Sequence, residues 1–344
     1  VRPRDLMLFL EQLSLLLETG VTLHAALTSL RAGCANPVLA RVLDSIVEDI
    51  ATGRSFSSAL ERHPEVFSRT QVSLIAASEN GGFVPDVLKQ LLELEEKREK
   101  LRSTLVAAGA YPAFLCVFSV AVVIFVLVVV FPQFGTIFAN IKTELPITTK
   151  ALMWCSDVLR RGWLPLGGAL AAAAVLAHRW AASEAGGEAI DRFKLHAPLI
   201  GGVFVKLYLV QSMRAMSLSL ANGVSAVDTL VSCEHVVANR VFRRFLAGLK
   251  RDVEQGESLA VGFAKAAFVP PVVRQLIATG DASGSLPKVM GRVADFYERE
   301  LEKQLALLAR LAEPVMLLVM GAIVGLIVSS LILPIFSLSR GIGG

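Results

Sequence analysis

The 344-residue sequence has little charge, few aromatic residues and few cysteines. Charged residues make up 19% of the chain, below the roughly 25% of an average soluble domain. Four cysteines cannot form a disulfide scaffold at this length. The net charge of +4, without a long basic run, gives no argument for binding nucleic acid. What the chain does have is an aliphatic excess, with 54% hydrophobic residues, which excludes disorder and argues against a single soluble domain.

Stretches without charge predict three membrane spans. No Asp, Glu, Lys or Arg occurs in residues 103–141 or 314–339, and each interval holds the about 20 apolar residues that a spanning helix needs. A shorter charge-free stretch carries Trp163 and Trp180 at its ends, as expected of an aromatic belt at two membrane interfaces. We interpret it as a middle span, with a buried helical hairpin as the alternative.

Basic residues indicate that the first and third spans begin on the cytoplasmic side. Lys97, Arg98, Lys100 and Arg102 precede the first span, Lys142 alone follows it closely, and the third span shows the same imbalance. The predicted order is cytoplasmic bundle 1–108, span 109–132, periplasmic loop 133–161, span 162–179, cytoplasmic bundle 180–311, span 312–335 and periplasmic tail 336–344.

An internal repeat divides the chain into two similar halves. With a shift of 203 residues, Leu10–Leu27 overlays Met213–Leu230 with six identities in 18 positions. With a shift of 202, four glycines or prolines of the first half meet the same residue type in the second: Gly82 with Gly284, Pro85 with Pro287, Pro112 with Pro314, and Pro132 with Pro334. Two repeats that each end in an outward span require a returning helix between them, which supports the middle span.

Local patterns within each repeat are helical. Leu6, Leu10, Leu13 and Leu17 recur at spacings of three and four residues. Gly20 and Gly223 are predicted to end helices, with Thr22 and Ser225 capping the next ones, and Pro85 and Pro287 are predicted to lie just inside a further helix. No alternating strand pattern is present. The predicted fold is an all-α, polytopic membrane protein with two homologous cytoplasmic helical bundles and three transmembrane helices.

The sequence resembles a known family, the platform proteins of type II secretion systems and type IV pilus assembly machines. The resemblance covers nearly the whole chain, through the duplication, the spans and four paired segments: Leu13–Leu27 (LSLLLETGVTLHAAL) with Met216–Leu230 (MSLSLANGVSAVDTL), and Ser78–Gly82 (SENGG) with Gly280–Leu286 (GDASGSL). Shorter matches are Tyr111–Pro112–Ala113, Phe131–Pro132–Gln133–Phe134 and Glu144–Leu145–Pro146. The family's N-terminal extension of tens of residues is absent, as expected of a truncated sequence or a short member.

The resemblance implies a non-catalytic protein of the bacterial inner membrane, with most of the chain in the cytoplasm. The implied partners are a hexameric cytoplasmic assembly ATPase, other inner-membrane secretion or pilus components, pilin-like subunits and the lipid bilayer. We also expect a homo-oligomer and no nucleic acid. The alternative is a membrane scaffold or transporter subunit unrelated to pili.

A small-residue motif supplies the candidate partner-facing residues. The family usually has Gly-Glu in each copy, whereas here the first copy has Ser78–Glu79 and the second Gly280–Asp281. The carboxylate is kept in both. The candidates are Glu79, Gly82, Asp281 and Gly284, and the structural alternative is a plain connection between two helices.

Catalytic and cofactor chemistry is not predicted. The segment Gly280–Lys288 lacks the Gly-Lys-Ser/Thr ending of a phosphate-binding loop. Neither the cysteines nor the histidines are clustered at metal-ligand spacings. An intramembrane aspartyl protease would need two carboxylates in the spans, where only Glu313 lies at an edge. We therefore predict no catalytic residue, no cofactor and no metal.

Small residues and prolines mark the spans. Gly321 and Gly325 form a G-x-x-x-G pattern that permits close helix approach, either between subunits or against this chain's own spans. Pro112 and Pro314 lie at the cytoplasmic membrane edge and are candidate kinks, with boundary strain as the plainer interpretation.

Overall fold

The computed structural model describes residues 1–81, 83–134, 147–197 and 201–341, and the regular elements in these ranges are all helical. The first half forms six helices: α1 (Pro3–Glu18), α2 (Leu23–Ala32), α3 (Pro37–Ala51), α4 (Phe56–Glu61), α5 (Arg69–Gly81) and α6 (Val84–Phe125). A π-helical turn, Val126–Val130, follows α6 without a break. Three helices connect the halves: α7 (Ile147–Arg161), α8 (Trp163–Ala182) and α9 (Glu184–His196).

The second half repeats the first, helix by helix. Its six helices are α10 (Gly201–Ala221), α11 (Ala226–Val236), α12 (Arg240–Glu254), α13 (Leu259–Lys265), α14 (Pro271–Ala282) and α15 (Leu286–Gly341). Helices α2 to α4 and α11 to α13 begin 203 residues apart, whereas α5 and α6 begin 202 residues before α14 and α15. The structure thus confirms the predicted all-α fold and the repeat, including its one-residue slip.

Short-range signals set most helix ends. Gly20 (φ 84°) and Gly223 (φ 78°) end the first helix of each repeat in the left-handed region, where glycine carries no steric penalty. Ser225 caps α11 by accepting the N–H of Asp228, whereas Thr22 takes the equivalent position without a side-chain bond. Pro85 and Pro287 each follow the first residue of their helix, as predicted.

The helical bundles of both repeats lie in one compact unit, formed by Val1–Thr104 and Glu188–Lys303. The first bundle's core includes Leu13, Leu27 and Leu43, all essentially buried. Its surface also packs against Leu218 and Val224 of the second repeat. The two bundles predicted as separate segments therefore share one packed body, while the exact domain boundaries stay predictions.

A second unit consists of Leu105–Gly187 and Gln304–Gly344. Two helical stretches are long and apolar enough to cross a membrane, Val84–Phe134 with 51 residues and Leu286–Ile332 with 47. The first contains the predicted span 109–132, and the second contains residues 312–332 of the predicted span 312–335. Helix α8 covers the predicted middle span with 20 residues but is not among these candidates in the described chain, so the middle span stays a prediction.

Helices α9 and α10 together also reach the length and apolarity of a span, but they are bent by 100°. Burial accounts for the apolarity of α10, since Met213 and Met216 are fully buried within the first unit. The predicted loop 133–161 is only partly described, because residues 135–146, with Lys142, lie outside the described residues. Its remainder contains the 15-residue helix α7, which was not predicted.

Candidate functional site: the contact between the two repeats

Glu79, a predicted partner-facing residue, caps the short helix α4. Its carboxylate oxygens accept the backbone N–H of Phe56 at 2.5 Å and that of Ser57 at 3.1 Å, and also the Ser57 hydroxyl. These amides belong to the first turn, which lacks intrahelical acceptors and carries the positive end of the helix dipole. The carboxylate thus has a definite structural function inside the first bundle.

Asp281 has the equivalent position in the second repeat but different surroundings. Its side chain is one methylene shorter than that of Glu79, and Ala260 replaces the Ser57 hydroxyl. Within the described part of the chain, the carboxylate of half-buried Asp281 makes no hydrogen bond or ion pair, although its backbone carbonyl accepts the Gly284 N–H at 3.2 Å. The carboxylates that the sequence matched therefore do not share one set of contacts.

The glycines beside these carboxylates serve the chain reversal. Gly284 has φ 65°, and the Ser285 N–H donates to the Gly280 carbonyl at 2.9 Å to close the end of α14. A Cβ on Gly280 would meet Val289 at 3.0 Å, whereas the first repeat has Ser78 there, fully buried and bonded to the Ile75 carbonyl. Gly82, the fourth candidate, lies outside the described residues.

A charged cluster joins the two repeats within the first unit. Arg214 of α10 contacts Asp295 at 2.9 Å and Glu298 at 2.5 Å, both on α15. Lys97 of α6 contacts the same Asp295 at 3.4 Å, and Lys100 contacts Glu302 at 3.0 Å. These contacts follow the same order along α6 and α15, so the two long helices run side by side in one direction here.

Burial and charge move two carboxyl pKa values of this contact in opposite directions. Burial raises the pKa of Glu95, and the charge of Arg98 and the hydrogen bond from Gln71 (3.0 Å) only partly offset this. Burial would also raise the pKa of Asp295, but the hydrogen bond and charge of Arg214, together with Lys97, outweigh it and lower that pKa. The contact therefore contains one carboxyl group that resists ionisation and one that favours it.

Neutral groups extend the contact across different faces of the repeats. The Asn222 side-chain amide donates to Gln90 Oε1 at 2.8 Å, and the hydroxyls of Ser73 and Ser232 lie 3.5 Å apart. The first repeat uses α5 and α6, whereas the second uses α10, α11 and α15. Sequence analysis missed this contact, although one signal was present: Arg214 replaces Glu11 of the first repeat, so the copies differ in charge there.

Helix α7, in the second unit, supplies hydroxyl donors to both apolar helices. Ser156 donates to the Leu127 carbonyl at 2.6 Å, and Thr149 donates to the Ser330 carbonyl at 2.8 Å, all in buried surroundings. Proline explains why these carbonyls need a donor. Pro334, four residues after Ser330, has no N–H. The Leu127 carbonyl lacks a backbone donor for a similar reason, because the Phe131 N–H bonds to the Val126 carbonyl instead and the next residue, Pro132, has no N–H.

The predicted kink prolines and packing glycines lie within the two apolar helices. Helix α6 continues through Pro112 and α15 through Pro314. A Cβ added to Gly321 or Gly325 would meet no atom of another described helix within 4 Å, so neither glycine packs closely on one. Kinks and a helix-packing function at these four positions stay predictions. Over the described ranges, no group of three or more His, Cys, Asp or Glu could hold a metal ion.

Comparison with known proteins gives one family. The family model described as "Type II secretion system (T2SS), protein F" matches residues 9–132 and 212–334. A "Type IV pilus assembly protein PilC" from Thermus thermophilus is 36% identical over 337 residues, covering 97% of this chain and 82% of that protein. A "Type II secretion system protein F" from Pseudomonas aeruginosa is 31% identical over 345 residues, covering 99% of this chain and 84% of that protein.

Proposed function

Because the chain belongs to the type II secretion system protein F family, and is thus a platform protein of a type II secretion or type IV pilus machine, we propose how it acts there. It is a non-catalytic protein of the bacterial inner membrane that couples a cytoplasmic assembly ATPase to the insertion of pilin-like subunits into a filament. Its other partners are further inner-membrane components of the machine, the lipid bilayer and copies of itself.

The observation that carries this proposal is the continuity of α6 and α15. Each helix begins in a bundle of the first unit and continues into an apolar segment, through Pro112 in one case and Pro314 in the other. At its bundle end, α15 contacts both other helices through Asp295, which pairs with Lys97 of α6 and with Arg214 of α10. Force applied to either bundle therefore has a helical route toward both spans.

The proposed topology has three spans, with residues 1–108 and 180–311 in the cytoplasm. Labelling of single cysteines in intact cells tests it. A cysteine at Lys142 should react with a membrane-impermeant reagent, and one at Asp252 should react only after permeabilisation. The reverse pattern would contradict the topology.

Two measurements test the platform function. The protein, solubilised from native membranes, should co-purify with the assembly ATPase encoded in the same cell, and deletion of its gene should abolish secretion or piliation. Complementation with the unaltered chain should restore the association with the ATPase and the lost secretion or piliation. An Arg41→Gln chain, changed at an exposed site away from the repeat contact, is the matched control and should restore them equally. The function is refuted if association is absent and deletion leaves both processes intact.

A further inference from the structure

The contact between the repeats joins unlike faces, so each repeat also has an unused face. The second repeat presents α10, α11 and α15 to α5 and α6 of the first. The helices of the first repeat that correspond to α10, α11 and α15 are α1, α2 and α6, and we call their unused surface the front face. The helices of the second repeat that correspond to α5 and α6 are α14 and α15, and we call their unused surface the back face.

The front face is apolar and acidic. Leu15 is 62% exposed, whereas Leu218, its counterpart in the second repeat, is partly buried against the first bundle. Glu11, Glu93 and Glu96 are exposed on the same helices, at the positions of Arg214, Asp295 and Glu298. A surface of this kind favours a partner with exposed apolar side chains surrounded by basic ones.

The back face has that composition. Val272 is 61% exposed and Phe296 is 50% exposed, whereas their counterparts Thr70 and Leu94 lie inside the contact or against the bundle core. Basic residues accompany them in exposed positions: Arg292, Arg299 and Lys303.

The charges of the two faces match the contact already formed within the chain. Lys97 pairs with Asp295 inside the chain, and their counterparts are Arg299 on the back face and Glu93 on the front face. The sign of each charge of this pair is therefore kept on the unused faces, whereas Lys100 and Glu302 occupy each other's counterpart positions and stay paired within the chain. The hydroxyl pair Ser73 and Ser232 likewise has the exposed polar counterparts Gln275 and Ser29.

We propose that the back face of one copy docks on the front face of a second copy, repeating between chains the contact that joins the repeats within one chain. Such a contact is heterologous, because it joins two different surfaces, and it continues from chain to chain as a closed ring or an open filament. The ligand for each face is thus another copy of this protein. The inference deepens the self-association in the proposed function and does not depend on the ATPase.

Disulfide cross-linking in native membranes tests this directly. Full-length chains would carry Ser29→Cys or Gln275→Cys, with Cys34, Cys116 and Cys155 replaced by alanine. Cys233 can stay, because burial raises the pKa of its thiol to about 12 and keeps it unreactive. Oxidation should yield a dimer when differently tagged S29C and Q275C chains are co-expressed. Neither chain alone should cross-link, because the contact joins unlike faces.

Two controls define the background. A chain with S73C and S232C should close an internal disulfide without gaining mass, since those side-chain oxygens lie 3.5 Å apart. A Glu48→Cys chain, exposed on the first repeat but outside the front face, should not cross-link with Q275C. The proposal is overturned if S29C and Q275C give no dimer while the internal disulfide forms, or if E48C cross-links equally well.

Charge reversal gives a second, independent readout. Glu93→Arg and Arg299→Glu should each slow the S29C–Q275C cross-link about fivefold, as expected for an ion pair near a surface, and the double reversal in every chain should restore the rate. Equal rates in all four chains would contradict the docking. Loss of ATPase association with the cross-link intact would refute only the platform function, and loss of the cross-link with association intact would refute only the docking.

Discussion

Replacing Glu79 with alanine should loosen the start of α4, because the first two amides of that helix would lose their acceptor. Hydrogen bonds to a charged group are worth about 1.5–3 kcal/mol, and the half-buried position of Glu79 suggests a value near the middle of that range. A loss of about 2 kcal/mol raises the local opening constant about 30-fold. Glu79→Gln keeps one acceptor oxygen and should cost about 1 kcal/mol.

Hydrogen exchange of the full-length protein, followed by mass spectrometry, measures this opening locally. The peptide covering residues 55–61 should exchange about 30-fold faster in E79A. Asp281→Ala is the matched control, because the Asp281 carboxylate has no bonded partner in the described chain, and the peptide covering 258–265 should be unchanged. Equal effects of E79A and D281A would refute the capping argument. Unchanged exchange in E79A with lost ATPase association would show instead that Glu79 faces the partner.

Further predictions concern the repeat contact and α7. Arg214→Met should lower the stability of the first unit by about 3 kcal/mol in denaturant melts, because Glu298 would lose its cation and Asp295 would keep only Lys97, whereas Glu11→Ala, at the exposed repeat position, should cost under about 0.5 kcal/mol. Burial raises the pKa of Glu95 in the folded protein, so the stability that this carboxyl group contributes is fully present below its unfolded pKa and is lost as pH rises through its folded pKa. Glu95→Gln should therefore raise the melting temperature at pH 7, and this gain should vanish near pH 4. Ser156→Ala should destabilise the second unit by about 0.6 kcal/mol in thermal melts in lipid nanodiscs, and Thr148→Val, an exposed neighbour on α7, should have no effect. A flat pH response in E95Q, or equal losses in the paired variants, would contradict these assignments.

The helices and the repeat could be predicted because their signals are local. The turns after the first helix of each repeat need a residue with positive φ, which favours glycine, so Gly20 and Gly223 mark these turns in the sequence. Prolines at the second position of α6 and α15 act in the same manner. Each of these residues carries its structural requirement in its own covalent geometry.

The charged contact could not be predicted because it depends on residues far apart in sequence. Lys97 and Asp295 are separated by 198 residues, and neither has a local signature that names the other. The difference between Glu11 and Arg214 was visible in the aligned repeats, but its meaning required knowing that Arg214 lines a cavity with Lys97 and Arg98 of the first repeat. Side chains at equivalent positions of the two repeats therefore differ in charge where the residues around them differ.

The motif carboxylates show the same limit at shorter range. Glu79 and Asp281 align in the repeat, yet the cap depends on a longer side chain and on Ser57, whose counterpart is Ala260. Matching a residue type therefore predicted its place on the helix but not its hydrogen bonds. The partner-facing interpretation of both residues stays a prediction.

The bonds from α7 also fix an order in time. The Leu127 carbonyl lies in a stretch that is synthesised before Ser156, and Ser330 is synthesised long after Thr149. The first apolar helix therefore leaves the ribosome with a carbonyl that has no donor until α7 has followed it, and α7 in turn keeps an unused hydroxyl until the last helix arrives. The two carbonyls belong to apolar helices, where a bilayer offers no water to satisfy them, so each of these helices completes its hydrogen bonding only when its donor on α7 is in place. A nascent chain that stops before residue 156 should thus hold its first helix less firmly than the finished protein does.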